Sequence, residues 1–207
     1  MPLSPDEYHA RALAAADADG RLPRSPMTDW DIFPFEPDGL TVRPLAAPVL
    51  PEPPRAGSGG VDCRSCEDQS LAVWRDEHWL LRTFSSTGGA PLTVLLESRA
   101  HVDFPDLPDE RAAELGVLLV HVVRAIEELP HVARAHVSKW GDGAEHLHVF
   151  FYARPAGMRQ MFGAFMQLWD DLLPDVPVAE RDADARSVAE SLVASYGGEV
   201  VGVGPAR

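Results

Sequence analysis

Between Asp106-Leu107-Pro108-Asp109-Glu110 and Pro130, apolar residues recur at three- and four-residue spacing: Ala112, Leu115, Leu118, Leu119, Val122, Ile126 and Leu129. The spacing predicts one long helix, Pro108 to Leu129, with a broad face that must be buried. Its neighbours indicate what covers that face. Leu71-Ala72-Val73-Trp74-Arg75 and Trp79-Leu80-Leu81-Arg82-Thr83-Phe84 are strand-like runs separated by the polar Asp76-Glu77-His78, and Leu92 to Leu96 is a third. After the helix, Ala133 to Lys139 and His146 to Ala153 alternate as two more strands, joined through Trp140-Gly141-Asp142-Gly143. Two further helices are expected in the tail, one from about Met158 to Leu173 and one from about Asp184 to Tyr196. The fold class is therefore α+β: a twisted antiparallel sheet of about five strands with the long helix on one face.

The first 60 residues read differently. Ser4 is placed to cap a short helix that Gly20 and Pro23 end, and Trp30, Ile32, Phe33 and Phe35 follow as apolar anchors among prolines. From Leu45 the chain is dominated by Pro48, Pro51, Pro53 and Pro54, then by Gly57, Gly59 and Gly60, which predicts an extended strap or linker. Three segments result: an N-terminal extension over 1–60, a core domain over 61–155 and a C-terminal helical extension over 156–207.

Composition removes several function classes. Asp and Glu outnumber Lys and Arg by 32 to 18, and the formal charge of −14 opposes any general attraction to nucleic acid or anionic lipid. The longest apolar stretch, Leu115 to Val123, is far short of the roughly 20 residues needed to span a bilayer. Met1-Pro2-Leu3-Ser4-Pro5-Asp6-Glu7 carries neither the basic nor the apolar part of a secretory signal, so a cytoplasmic location is expected. In that compartment two cysteines point to metal or redox chemistry before a structural disulfide.

Cys63-Arg64-Ser65-Cys66 has the spacing of half a zinc site, and the chain has 8 histidines from which to complete it. His9 lies in the N-terminal extension, His78 at the hairpin turn and His121 on the long helix as a core or boundary histidine, and His131 and His136 have no partner motif. His101 follows the third strand, while His146 and His148 are two apart and would share one strand face with Phe150. Two imidazoles so placed can bind a metal jointly, or one can hold a metal while the other acts as a nucleophile.

At this point the sequence resembles a known superfamily. His146-Leu147-His148-Val149-Phe150-Phe151-Tyr152-Ala153-Arg154-Pro155 is similar to the H-x-H-x-H motif of histidine triad (HIT) proteins and to the shorter motif of the galactose-1-phosphate uridylyltransferase branch. The order of CxxC, hairpin, strand, histidine, long helix, strand, turn and histidine strand agrees over about residues 61–155. The Ala-, Arg-, Pro- and Gly-rich composition looks like that of a bacterial branch. The resemblance implies a structural zinc held by Cys63, Cys66, His101 and His146. It implies His148 as the nucleophile toward the α-phosphorus of a nucleotide or nucleotide conjugate, and a two-fold homodimer through the long helix. A neutral imidazole whose one N–H is held by a backbone carbonyl keeps its other nitrogen free to attack, which is the required reactivity.

Two departures bear on activity. The third motif position is Phe150, where the family has a hydrogen-bonding side chain, and the preceding loop reads Lys139-Trp140-Gly141-Asp142-Gly143-Ala144-Glu145, with two carboxylates. Loss of such a donor costs roughly 3 kcal/mol in the barrier, about a hundredfold in rate. Candidate substrate-binding residues that would compensate are Lys139, Trp140, Arg154, Arg159 and Gln160, with the Gly141 and Gly143 amides as a nest. Three functions fit: a nucleotidyl hydrolase or transferase using His148; a non-catalytic HIT-like nucleotide-binding or interaction module stabilised by zinc; and a zinc hydrolase with Glu145 or Asp142 as base.

Overall fold

The structure, a computed structural model, describes residues 4–202. Residues 1–3 and 203–207 lie outside it, and with them the beginning of the segment on which the leader expectation rests. The chain divides into two units, Met1–Pro54 and Arg55–Arg207. The division falls before Gly60, the boundary expected from composition, and residues 156–202 belong to the same unit as the sheet.

In the first unit, α1 (Pro5–Leu13) begins at a capping box: the Ser4 hydroxyl accepts from the Glu7 N–H, and the Glu7 carboxylate accepts from the Ser4 N–H. A 3-10 turn over Pro26–Asp29 follows, and the Phe33 and Phe35 rings meet edge to face at 5.8 Å. None of residues 4–54 is fully buried, in keeping with a proline-rich segment that cannot form a ladder or core.

The second unit is built on six antiparallel strands: β1 (Ala72–Arg75), β2 (Trp79–Arg82), β3 (Thr93–Ser98), β4 (Val132–Ser138), β5 (His148–Pro155) and β6 (Glu199–Val200), in the order β4-β5-β3-β2-β1-β6. Helix α3 (Asp109–Glu127) lies on one face and buries Leu115, Leu118, Val122 and Ile126 against Val94, Leu96, Val149 and Phe151. Leu119 sits at the margin of that face and Ala112 is exposed. Helix α5 (Val178–Ser195) completes the core with Ala185, Val188, Ala189 and Leu192.

Three expectations are corrected. A sixth strand exists because Gly197 and Gly198, both at positive φ, turn the chain back after α5 onto the edge of β1. A Cβ on Gly198 would lie 2.6 Å from the Arg75 carbonyl, so that return requires glycine. The tail helix expected over Met158–Leu173 is two 3-10 turns, Arg159–Met161 and Gly163–Phe165, followed by the short α4 (Met166–Leu172). Gly163 at φ +58 interrupts it, and Met161, Phe165 and Met166 are buried from separate turns rather than from one helix face. Helix α5 starts at Val178 rather than near Asp184, its polar first turns having hidden the beginning.

Candidate functional site

The second cysteine lies on α2 (Arg64–Glu67), a single turn capped by Cys63. His101 follows β3 in the connection to α3, and His146 lies two residues before β5, where the Leu147 N–H donates to the Val102 carbonyl. The ligating atoms of Cys63, Cys66, His101 and His146 all lie within 4.8 Å of one another. Cys63 Sγ is 3.3 Å and Cys66 Sγ 3.6 Å from His146 Nδ1, and Cys66 Sγ is 3.7 Å from His101 Nδ1. Two ligands on a tetrahedral zinc, at bond lengths of about 2.3 Å to sulfur and 2.05 Å to nitrogen, stand about 3.6 Å apart. The donor set and its spacing fit such an ion.

The surroundings prepare the ligands. His146 Nε2 donates to the Ser98 carbonyl at 2.8 Å, which leaves Nδ1 as the lone-pair nitrogen, and burial holds its imidazole below the ordinary histidine range. Burial and the neighbouring Cys63 thiol push Cys66 up to about 11, so a metal must displace its proton. The glycine-rich run is part of this site rather than a linker. Gly57, Gly59 and Gly60 are all at positive φ in a tight turn, and a Cβ on Gly57 would meet Cys63 Cβ at 3.3 Å.

His148 opens β5. Its Nδ1–H donates to the His146 carbonyl at 2.7 Å, so in the neutral ring the lone pair is on Nε2. The ring lines a cavity of about 360 Å³ together with Arg64, Ser65, Arg82, Glu97 and Phe150, among others, a size in the range of small-molecule sites. Phe150 stands at 5.6 Å from the His148 ring and 5.3 Å from Trp140, and stacks with Phe84 at 6.1 Å and Tyr152 at 5.9 Å.

None of the expected substrate-binding residues is among the lining of the His148 cavity, although Trp140 lies beside Phe150. Lys139 lies 3.9 Å from Asp103 and over the Phe104 ring. Arg154 sits two residues beyond Tyr152 on β5, opposite Arg134, while Arg159 and Gln160 are exposed on a 3-10 turn. Gly141 and Gly143 offer their carbonyls to Arg55 Nη1 and the Ala56 N–H. The Glu145 carboxylate, expected near a bound anion, is engaged: it accepts from the Gly59 N–H and the Ser58 hydroxyl, both at 3.0 Å, and pairs with Arg55 at 3.5 Å. These contacts hold it below the usual carboxylate range.

Arg64, Ser65, Arg82 and Glu97, which do line the cavity, went unread in the sequence. The available signal was the polar pair inside the CxxC motif and a charged residue on each of two otherwise apolar strands.

No family model matches the sequence, and no curated protein matches it. Solved structures do. A hypothetical histidine triad nucleotide-binding protein from Sulfolobus tokodaii superposes with a TM-score of 0.50 at 17% identity, over 68% of this chain and 100% of that one. The chain has a HIT-like fold. A zinc-bound histidine triad family protein from Mycobacterium smegmatis matches with a TM-score of 0.47 at 17% identity, over 64% of this chain and 94% of that one. A uridylyltransferase structure matches with a TM-score of 0.45 at 18% identity, over 64% of this chain and 46% of that one. Among the described residues, no helix is long and apolar enough to cross a membrane.

Proposed function

We propose that this chain is a nucleotidyl hydrolase or nucleotidyltransferase that works through His148, with a structural zinc on Cys63, Cys66, His101 and His146. The observation that carries the reading is the His148 tautomer: Nδ1–H is bound to a backbone carbonyl, and the bare Nε2 belongs to a ring lining a ligand-sized cavity. In the first step Nε2 attacks the α-phosphorus, a P–N bond forms, and the bond to the leaving group breaks with its electron pair going to that group. In the second, water or an acceptor hydroxyl attacks phosphorus and gives its proton to solvent as the P–O bond forms, the P–N bond breaks and the lone pair returns to Nε2. Bound zinc would clamp α2, the segment after β3 and the start of β5 together.

Turnover of a panel of dinucleotides, nucleotide-sugars and adenylates by the parent and by His148→Ala tests the nucleophile. Intact mass should show a nucleotidyl adduct on the parent, and equal turnover by the variant would sink the reading. Cys63→Ser and His101→Ala should each lose stoichiometric zinc by elemental analysis. Phe150 supports the second reading, a binding module, for which the same panel gives binding without consumption. Four protein donors within reach of one ion, and the engaged Glu145, weigh against a zinc hydrolase. A cytosolic homodimer is part of the proposal, supported by the exposed Val117 and Val120 on α3 and Val137 on the edge strand β4. Light scattering of the purified chain checks it.

A further inference from the structure

A phosphorus under attack by His148 Nε2 gathers negative charge on its nonbridging oxygens, and the phenyl ring of Phe150 has no donor to offer them. Lys139 is drawn to Asp103, and Arg154 and Gln160 lie away from the cavity. The cations that line it stand on other elements, Arg64 on α2 and Arg82 on β2.

Strand register makes Arg82 the more telling of the two. Arg82, Leu95 and Phe150 form one row across β2, β3 and β5, and Leu80, Glu97 and His148 form the next. The Arg82 guanidinium bridges these rows, with Nη1 3.6 Å from Glu97 Oε2 and 3.4 Å from the Asp68 carbonyl. Glu97 is only 3% exposed; its Oε1 accepts from the Ser65 hydroxyl at 3.0 Å, while Oε2 accepts no hydrogen bond among the described residues. A buried carboxylate directly opposite the nucleophile repels an incoming phosphate, so an anion binds there only if a positive partner both offsets the carboxylate and reaches the anion. Among the described residues both contacts of Arg82 use Nη1, and Nη2 and Nε can make a forked approach to an anion.

We infer that Arg82, positioned by Glu97, is the residue that binds and neutralises the phosphate at His148, with Arg64 as an outer cation. It performs from β2 the role that Phe150 cannot perform from β5. The inference rests on the His148 reading for the identity of the reacting phosphate, but anion binding can be measured without it.

The test titrates inorganic phosphate into the full chain and follows binding by phosphorus NMR line broadening. The double exchange Arg82→Met with Glu97→Leu, which removes the pair without stranding either charge, should weaken phosphate by about tenfold or more. Should that variant fail to fold, Arg82→Lys keeps the charge and the Glu97 contact but loses the fork, and should still weaken binding measurably. Phosphate affinity unchanged in the folded Arg82 variants overturns the inference, as does turnover that needs His148 but is indifferent to Arg82. Phosphate binding that depends on Arg82, in a protein that turns over no substrate, supports the inference and removes the nucleophile reading.

Discussion

The Arg82–Glu97 pair makes a quantitative demand on stability. At 3.6 Å, with side chains 11% and 3% exposed, its Coulomb attraction is about 5 kcal/mol at an effective dielectric constant of about 20. Desolvation of the two charges offsets several kcal/mol of that. Arg82→Met leaves the Glu97 carboxylate buried and uncompensated and should cost about 3–5 kcal/mol. Glu97→Leu should cost less, about 1–2 kcal/mol, because Arg82 keeps the Asp68 carbonyl and a partly exposed head. The double variant should lie within about 1 kcal/mol of the parent. Urea unfolding of the four proteins gives the cycle directly, with an expected coupling of about 3 kcal/mol or more. A coupling near zero would refute the reasoning: Glu97 would then be held by Ser65 and the sheet alone, and Arg82 would have no fixed place beside His148.

Other consequences are local. Burial, with Asp171 adding to it, holds Asp170 above its ordinary pKa despite N–H donors at Ala90 and Gly89. A folded pKa above the unfolded one means that the contribution is present in acid and lost as pH rises through the folded value. Asp170→Asn should therefore raise Tm at pH 7 and leave it unchanged at about pH 3, and a lower Tm at pH 7 contradicts this sign. A Cβ on Gly89 would fall 2.2 Å from Leu173 Cβ, so Gly89→Ala should displace α4 and cost about 1–3 kcal/mol in urea. Glu145→Ala removes the acceptor of Ser58, Gly59 and Arg55 and should speed hydrogen exchange over 56–60 and 141–147 while β3 stays protected.

The parts of the fold legible in the sequence were those with a strong period. Helix α3 and the strands around it follow from burial of one face, and the resemblance to histidine triad proteins, resting on the CxxC and the histidine motif, named four donors that the folded chain brings together. Segments without a period were misread for identifiable reasons. Gly57 to Gly60 has a linker's composition, yet positive φ and the close approach to Cys63 require those glycines. Met161, Phe165 and Met166 have apolar spacing compatible with one helix, which Gly163 breaks. The cavity lining was the least legible part, because a row across β2, β3 and β5 joins residues 82, 95 and 150, and no local pattern encodes that adjacency.

An anion site in a chain of charge −14 requires that nearby carboxylates be accounted for one by one. Beyond about 8 Å at physiological ionic strength most of the acidic surface is screened, so the groups around His148 decide the matter. Asp103 is matched by Arg55 at 2.7 Å and Lys139, and Glu145 by Arg55, Ser58 and Gly59. Within the cavity, Asp68 and Glu97 balance Arg64 and Arg82. Its formal charge is therefore zero, and the long-range pull on an anion is weak. Recognition must come at contact, through a guanidinium fork, with Phe84, Leu95 and Phe150 covering the apolar remainder of the ligand. Such a site gains little from a second phosphate charge, since the additional charge meets Glu97. It should bind a singly charged phosphodiester at least as tightly as a terminal phosphate of the same nucleoside, and the ratio of the two affinities measures how far geometry, rather than charge, selects the ligand.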